Sequence, residues 1–168
     1  MSTKLPVRPP KMEHHVSTPK IAIVASEYNP EFVQGLINNA CNEIYHIDER
    51  SVIELFSAPG SFEIPVVVAM IAGQQRHDVI IALGVLLQGK TRHADIVATS
   101  VAHALQTVAL QYVVPVINEV LLVGSEEEAR ERCLGTDLNR GIEDARATFG
   151  MIRSKSRIQQ QPGRRPLK

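Results

Sequence analysis

The segment LGVLLQGKTRH, residues 83–93, places a lysine, a threonine and a histidine within four residues of one another. Gly84, four intervening residues, then Gly89, Lys90 and Thr91 fit G-x-x-x-x-G-K-[ST], the pattern of a loop whose backbone N–H groups wrap phosphates. Two residues further on stands His93, whose imidazole changes charge near neutral pH and can therefore move protons. A second group is APGSFEIP, residues 58–65, where Ser61, Phe62 and Glu63 offer a hydroxyl, an aromatic face and a carboxylate. Tyr28 adds another aromatic face. In ERCLGTDLNRG, residues 131–141, Arg132 supplies a planar fork of donors that suits phosphate.

These residues matter together only if the fold brings them together. KIAIVAS (20–26) is an apolar run of strand length. It is followed by a helix with Asn29 as N-cap, Pro30 in its first position, and Val33, Leu36, Ile37, Ala40, Cys41 and Ile44 along one face. SVIELFSA (51–58), HDVIIALG (77–84) and VPVINEVLLV (114–123) read as further strands. FEIPVVVAMIAG (62–73) has strand-like composition, but Pro65 in a first turn and Gly73 as a stop favour a buried helix. Val97, Val101, Ala104, Leu105 and Val108 mark a long helix; Ser125 and Glu128 predict a capping box; a last helix is expected from about Leu138 to Ser154. The order β-α-β-α-β-α-β-α-α implies a parallel sheet with helices on both faces, and such sheets bind ligands beyond their carboxyl ends. The loops at 26–30, 57–63 and 84–93 and the exit from the fourth strand are therefore the ones to watch. Of the six histidines only His93 falls there: His14 and His15 are in the N-terminal arm, His46 ends a helix, His77 precedes the third strand and His103 is mid-helix.

The phosphate-loop match fails on its interior. Val85, Leu86 and Leu87 are bulky and apolar, as in a continuing strand, where a nucleotide cradle needs small residues. No later strand ends in an aspartate for magnesium; the fourth offers only Glu119 in its middle. A P-loop NTPase is therefore the weakest functional reading. Gly89, Lys90 and Thr91 still open a helix, whose free N–H groups and partial positive charge suit an anion.

Bulk properties narrow the field. The 168 residues, 44% hydrophobic and 21% charged, suit one globular domain with a core. Eighteen basic and eighteen acidic residues cancel, which argues against a nucleic-acid partner and makes burial of surface in an assembly tolerable. Cys41 and Cys133 have no metal-site spacing. No run reaches transmembrane length and the N-terminus lacks a secretory apolar core, so a cytoplasmic protein without membrane partners is expected. The domain reading is an extended arm at 1–19, an α/β domain at 20–156 and a disordered tail at 157–168.

Taken together, Tyr28, PG-[small]-[aromatic]-E-[aliphatic]-P, G-x-T-x-H and the ER…NxG segment resemble the 6,7-dimethyl-8-ribityllumazine synthase family over roughly residues 20–153. The resemblance implies an α/β, flavodoxin-like three-layer sandwich with a four-stranded parallel sheet. It implies condensation of 5-amino-6-(D-ribitylamino)uracil with 3,4-dihydroxy-2-butanone 4-phosphate, with no cofactor or metal. Tyr28 then matches the aromatic that stacks on the pyrimidine; Ser61, Phe62 and Glu63 match the ribityl-holding segment. Val85, Leu86 and Leu87 match the wall whose backbone reads the pyrimidine edge. Lys90, Thr91 and Arg132 match the phosphate site, and His93 the proton-transfer residue. Each has a plainer reading beside it: Tyr28 as surface packing, Glu63 as a helix-dipole partner, Arg132 or Arg130 in a helical ion pair, Lys90 pointing to solvent.

Two departures stand out. Asn118 replaces an aromatic contributed by a neighbouring subunit, and CLGTDLNRG keeps Asn139 and Gly141 with Arg140 as its basic residue. The resemblance further implies a homopentamer with shared sites, a lean towards a sixty-subunit shell, an arm pairing along a neighbour's sheet edge, and association with riboflavin synthase. A flavodoxin-like protein that binds lumazine or flavin without turnover is the alternative.

Overall fold

The computed structural model describes residues 4–11 and 17–160; His14 and His15 lie outside them. Nine elements follow in order: β1 (Lys20–Ser26), α1 (Pro30–Ile47), β2 (Val52–Ala58), α2 (Ile64–Gly73), β3 (Val79–Leu87), α3 (His93–Tyr112), β4 (Val116–Val123), α4 (Glu126–Leu134) and α5 (Arg140–Gln159). The four strands are all parallel, in the order β2-β1-β3-β4. This is the three-layer α/β sandwich expected from the alternation.

Because successive side chains leave a strand on opposite faces, the inner strands feed two cores. Ile21 and Ile23 of β1 and Ile81, Leu83 and Val85 of β3 face α1, α4 and α5. Ala22, Val24, Ile80 and Ala82 face α2 and α3. That is why KIAIVAS and VIIALG are unbroken apolar runs rather than alternating ones: both faces are covered. FEIPVVVAMIAG resolves as helix, since Ile64, Val68, Ile71 and Ala72 fill the second core at helical spacing.

Four local expectations change. Asn29 occupies the cap position of α1 with φ 54°, but its side chain does not cap; it bonds elsewhere, as described below. The box at Ser125 is half formed: Ser125 Oγ accepts from Glu128 N at 3.2 Å, while the Glu128 carboxylate accepts from Gly124 N at 2.9 Å instead of reaching Ser125 N. β3 does not stop at 84 but runs to Leu87. The final helix runs Arg140–Gln159, so the tail expected from 157 overlaps it; residues 161–168 lie outside those described.

Residues 4–11 of the arm lie against their own chain. Arg8 makes two 2.7 Å bonds to Glu43 of α1, Arg146 of α5 donates to the same carboxylate at 2.7 Å and to the Pro6 carbonyl, and Arg153 donates to the Pro10 carbonyl. Burial alone would raise the Glu43 carboxyl, but the bonds from Arg8 and Arg146 hold it below the usual range.

Helix α5 meets α1 backbone to backbone at Gly141, where a Cβ would fall 2.4 Å from Leu36 O and 3.1 Å from Ala40 N. Gly141→Ala is expected to destabilise the protein by about 1–3 kcal/mol through overpacking. Gly150→Ala, on the same helix with nothing within 4 Å, should be neutral or stabilising. Thermal unfolding of the pair checks this; equal effects would show that the α1–α5 contact tolerates a methyl group.

Candidate active site at the carboxyl ends of the strands

A cleft of about 430 Å³ opens where β1, β2 and β3 end, a size suited to a small organic ligand. Three loops build it. After β1, Tyr28 rises 71% exposed, and Asn29 turns its amide across the sheet to donate to Val85 O at 2.8 Å. After β2, Glu27 N donates to Ala58 O at 3.0 Å, joining the first two loops, and Gly60 to Glu63 form a turn closed by Glu63 N to Gly60 O at 3.2 Å. A Cβ on Gly60 would stand 2.7 Å from Glu63 Oε2 and 3.7 Å from Tyr28 Cδ2, so glycine lets carboxylate and ring approach each other. Phe62 is 59% exposed at the rim, and Ser61 is buried at the floor.

The third wall is β3 itself. Its ladder with β4 continues through Leu87, whereas its ladder with β1 ends at Leu83. From Gly84 to Leu87 the β1-facing edge of the backbone is therefore turned to the cleft, with Val85 O already held by Asn29. Val85 is fully buried, while Leu86 and Leu87 are half-buried. This extended geometry also disposes of the P-loop reading, since Gly84 to Leu87 pair with Val120 to Val123 and cannot curl around a phosphate.

Beyond β3 the chain turns into α3. Gln88 Nε2 donates to Asp95 Oδ2 at 3.0 Å, and His93 N donates to Thr91 Oγ1 at 3.4 Å, which orders the turn at the helix start. His93, with Ala94 and Val97, completes the cleft lining. Lys90 and Thr91 sit exposed on that turn, next to the cleft but not lining it.

The structure thus brings eight of the singled-out residues to one cleft: Tyr28, Ser61, Phe62, Glu63, Val85, Leu86, Leu87 and His93. Asn118 and Arg132 are not among them. Asn118 pairs in register with Ala82, well below the strand ends, and is exposed on the outer strand β4 with its Oδ1 accepting from Val120 N. Arg132 Nε donates to Glu128 at 3.1 Å, the helical ion pair that was the plainer reading. Arg130 binds Glu31 at 2.7 Å and lies 5.6 Å from the Phe32 ring centroid. Among the described residues no group of three or more His, Cys, Asp and Glu is placed to hold a metal.

Sequence reading missed two things. One is the bridging role of Asn29. The other is a buried polar cluster between β4 and α5. There Arg140 donates to both Glu119 oxygens, at 2.8 and 3.2 Å, and to Glu143, with Asp144 fully buried alongside. Asn139 shapes the approach: its Oδ1 accepts from Ile142 N and its amide donates to Cys133 O and Gly135 O. The mid-strand Glu119 was the available signal, because a buried carboxylate demands a partner.

The sequence profile described as 6,7-dimethyl-8-ribityllumazine synthase matches residues 18–156. The chain is 37% identical to the 6,7-dimethyl-8-ribityllumazine synthase of Leuconostoc mesenteroides over 79% of this chain and 86% of that one. It is 37% identical to that of Pyrococcus furiosus, over 79% and 82%. It is 34% identical to that of Thermococcus kodakarensis, over 84% and 89%.

The polar cluster yields a pH test. Burial pushes the Asp144 carboxyl well above the usual carboxylate range, Glu119 adds to this, and Arg140 opposes it. For a raised folded pKa, the group's contribution is complete below the unfolded value and is lost as pH rises through the folded one. Asp144→Asn, a permanently neutral isostere, should therefore raise the unfolding temperature little at pH 4 and progressively more towards pH 8. A pH-independent change would contradict the raised Asp144 carboxyl.

Proposed function

The chain belongs to the 6,7-dimethyl-8-ribityllumazine synthase family, and on that premise we propose how its own residues carry out the reaction. The enzyme is a transferase of riboflavin biosynthesis that condenses 5-amino-6-(D-ribitylamino)uracil with 3,4-dihydroxy-2-butanone 4-phosphate, releasing phosphate and water.

The observation that carries the assignment of roles is the gathering of a ring, a carboxylate, an open strand edge and an imidazole on one cleft. The exposed edge of β3 from Gly84 to Leu87 offers N–H and C=O groups to the pyrimidine edge, and Tyr28 stacks on its face. Ser61, Phe62 and Glu63 hold the ribityl chain, Glu63 accepting hydrogen bonds from its hydroxyls. The phosphate of the four-carbon substrate sits at the turn of Lys90 and Thr91, where α3 presents its N-terminal N–H groups and Lys90 adds a cation. That places the ketone carbon near His93, which transfers protons during imine formation, phosphate elimination and ring closure.

Arg132 and Asn118 serve a neighbour's cleft rather than their own. Asn118 faces outward from an edge strand, and Arg132 exchanges Glu128 for the phosphate. Assembly is supported by an apolar groove of about 520 Å³ beside β4, where Leu110 and Val113 are 70% and 80% exposed. We propose a homopentamer, further assembled into a shell of about sixty subunits by closed symmetry, with association of riboflavin synthase. No helix among the described residues is long and apolar enough to cross a membrane; a cytoplasmic location completes the proposal.

Mixing both substrates and following lumazine absorbance tests the activity; no product at high enzyme concentration would leave a binding protein without turnover. His93→Ala should lower kcat by about a hundredfold, the low end of acid–base contributions, because holding two reactants together supplies much of the rate. Unchanged kcat would remove His93 from the chemistry. Mass photometry should show assemblies of at least five subunits, and an active monomer would overturn the shared site.

A further inference from the structure

Residues 4–11, KLPVRPPK, hold three prolines and one arginine and form no helix or strand. Proline fixes φ near about −65°, and the residue before each proline is steered away from the helical region. Pro6, Pro9 and Pro10, with Leu5 and Arg8 before them, are thereby biased to an extended chain before it meets anything. A proline also lacks an N–H, so its carbonyl is the one backbone group it can offer a partner.

The face formed by α1 and α5 answers these features one by one. Arg146 donates to the Pro6 carbonyl and Arg153 to the Pro10 carbonyl. The two arginines stand seven residues apart on α5, a rise of roughly 10 Å. The two carbonyls stand four residues apart, roughly 12 Å in a polyproline II chain, so the spacings match within side-chain reach. Between them Arg8 engages every nitrogen of its guanidinium. Nε and Nη2 donate to the two Glu43 oxygens at 2.7 Å each, and Nη1 lies 3.2 Å from His46 Nε2. An arginine can only donate, so that imidazole nitrogen accepts. Glu43 is 5% exposed and also takes Arg146 Nε at 2.7 Å. Leu5 and Pro9 are half-buried whereas Val7 is 93% exposed, so the segment is read from one side.

We propose that the α1–α5 face is a peptide-recognition surface for an extended segment of pattern P-x-R-x-P, and that its resident ligand is the chain's own arm. Seven residues separate Lys11 from Pro19, so the arm is a tethered ligand at an effective concentration on the order of millimolar. A modest intrinsic affinity then suffices to keep the face occupied. Arg8, Glu43, His46, Arg146 and Arg153 all lie outside the cleft lining, so this surface stands or falls independently of the reaction.

The test uses the full-length chain and a fluorescein-labelled peptide KLPVRPPK, followed by fluorescence anisotropy. Arg8→Ala lies in the arm, outside the domain core, and unseats the tethered ligand. That variant should bind the peptide at least about tenfold more tightly than the parent, whose own arm competes. The peptide carrying Arg8→Ala should bind the same variant at least about tenfold more weakly, through loss of the bidentate charge-assisted pair. Trypsin cleavage after Lys11 should be about tenfold faster in Arg8→Ala than in the parent, and unchanged in Val7→Ala. Equal peptide binding by parent and Arg8→Ala, no binding to either at millimolar peptide, or indifference to the peptide's arginine overturns the recognition surface.

Discussion

The cleft depends on β3 outrunning β1. Both strands are central and buried on both faces, so their pairing is fixed by packing, yet β1 ends while β3 continues from Gly84 to Leu87. Beyond that point β4 alone satisfies the strand, and one edge of its backbone becomes a recognition surface. Backbone donors and acceptors are obligatory hydrogen-bonding groups, so an edge turned into a cleft asks for a ligand, water or a side chain. The protein meets one of these demands itself: Asn29, held in the left-handed region at φ 54°, satisfies Val85 O and fixes where the first loop crosses. Tyr28 is aimed by the same turn.

Charge is distributed with the same economy. The cleft lining carries one carboxylate, Glu63, one imidazole, His93, and no lysine or arginine, so a ligand there would meet dipoles, hydroxyls and aromatic faces. The cations around the fourth strand are already committed, Arg132 to Glu128 and Arg140 to Glu119 and Glu143. Asp144 is the exception, a carboxyl that burial first and Glu119 second push well above the usual range, with Arg140 opposing them.

The helices follow from two close approaches. Gly141 lets α5 lie on the α1 backbone, and Gly35 does the same for α4, where a Cβ would meet Cys133 O at 2.7 Å. Such contacts explain why Gly35 and Gly141 are glycines: each is a point of close approach between helices rather than a flexible turn. Asn139 is fully buried, its amide donating to the Cys133 and Gly135 carbonyls that the α4–α5 turn leaves open, with Asn39 also reaching Cys133 O at 3.4 Å.

The sequence by itself determined the order of elements, the parallel sheet, the loops that meet at the cleft and the family. Hydrophobic runs, caps and the PGSFEIP and GKTRH spacings are local, and local patterns survive without coordinates. Tertiary structure decided what depends on residues far apart in the chain. Nothing near Asn29 in sequence announces that it serves Val85, 56 positions away, instead of its own helix. Nothing near Glu119 announces Arg140 and Asp144. The end of β3 was misplaced at Gly84 because the strand's last four residues are held by β4, a partner the local pattern cannot see. Likewise only the tertiary packing brings Gly84 against Ser26 and Ser61, from three separate segments, where a Cβ would stand 2.8 Å from Ser61 Oγ.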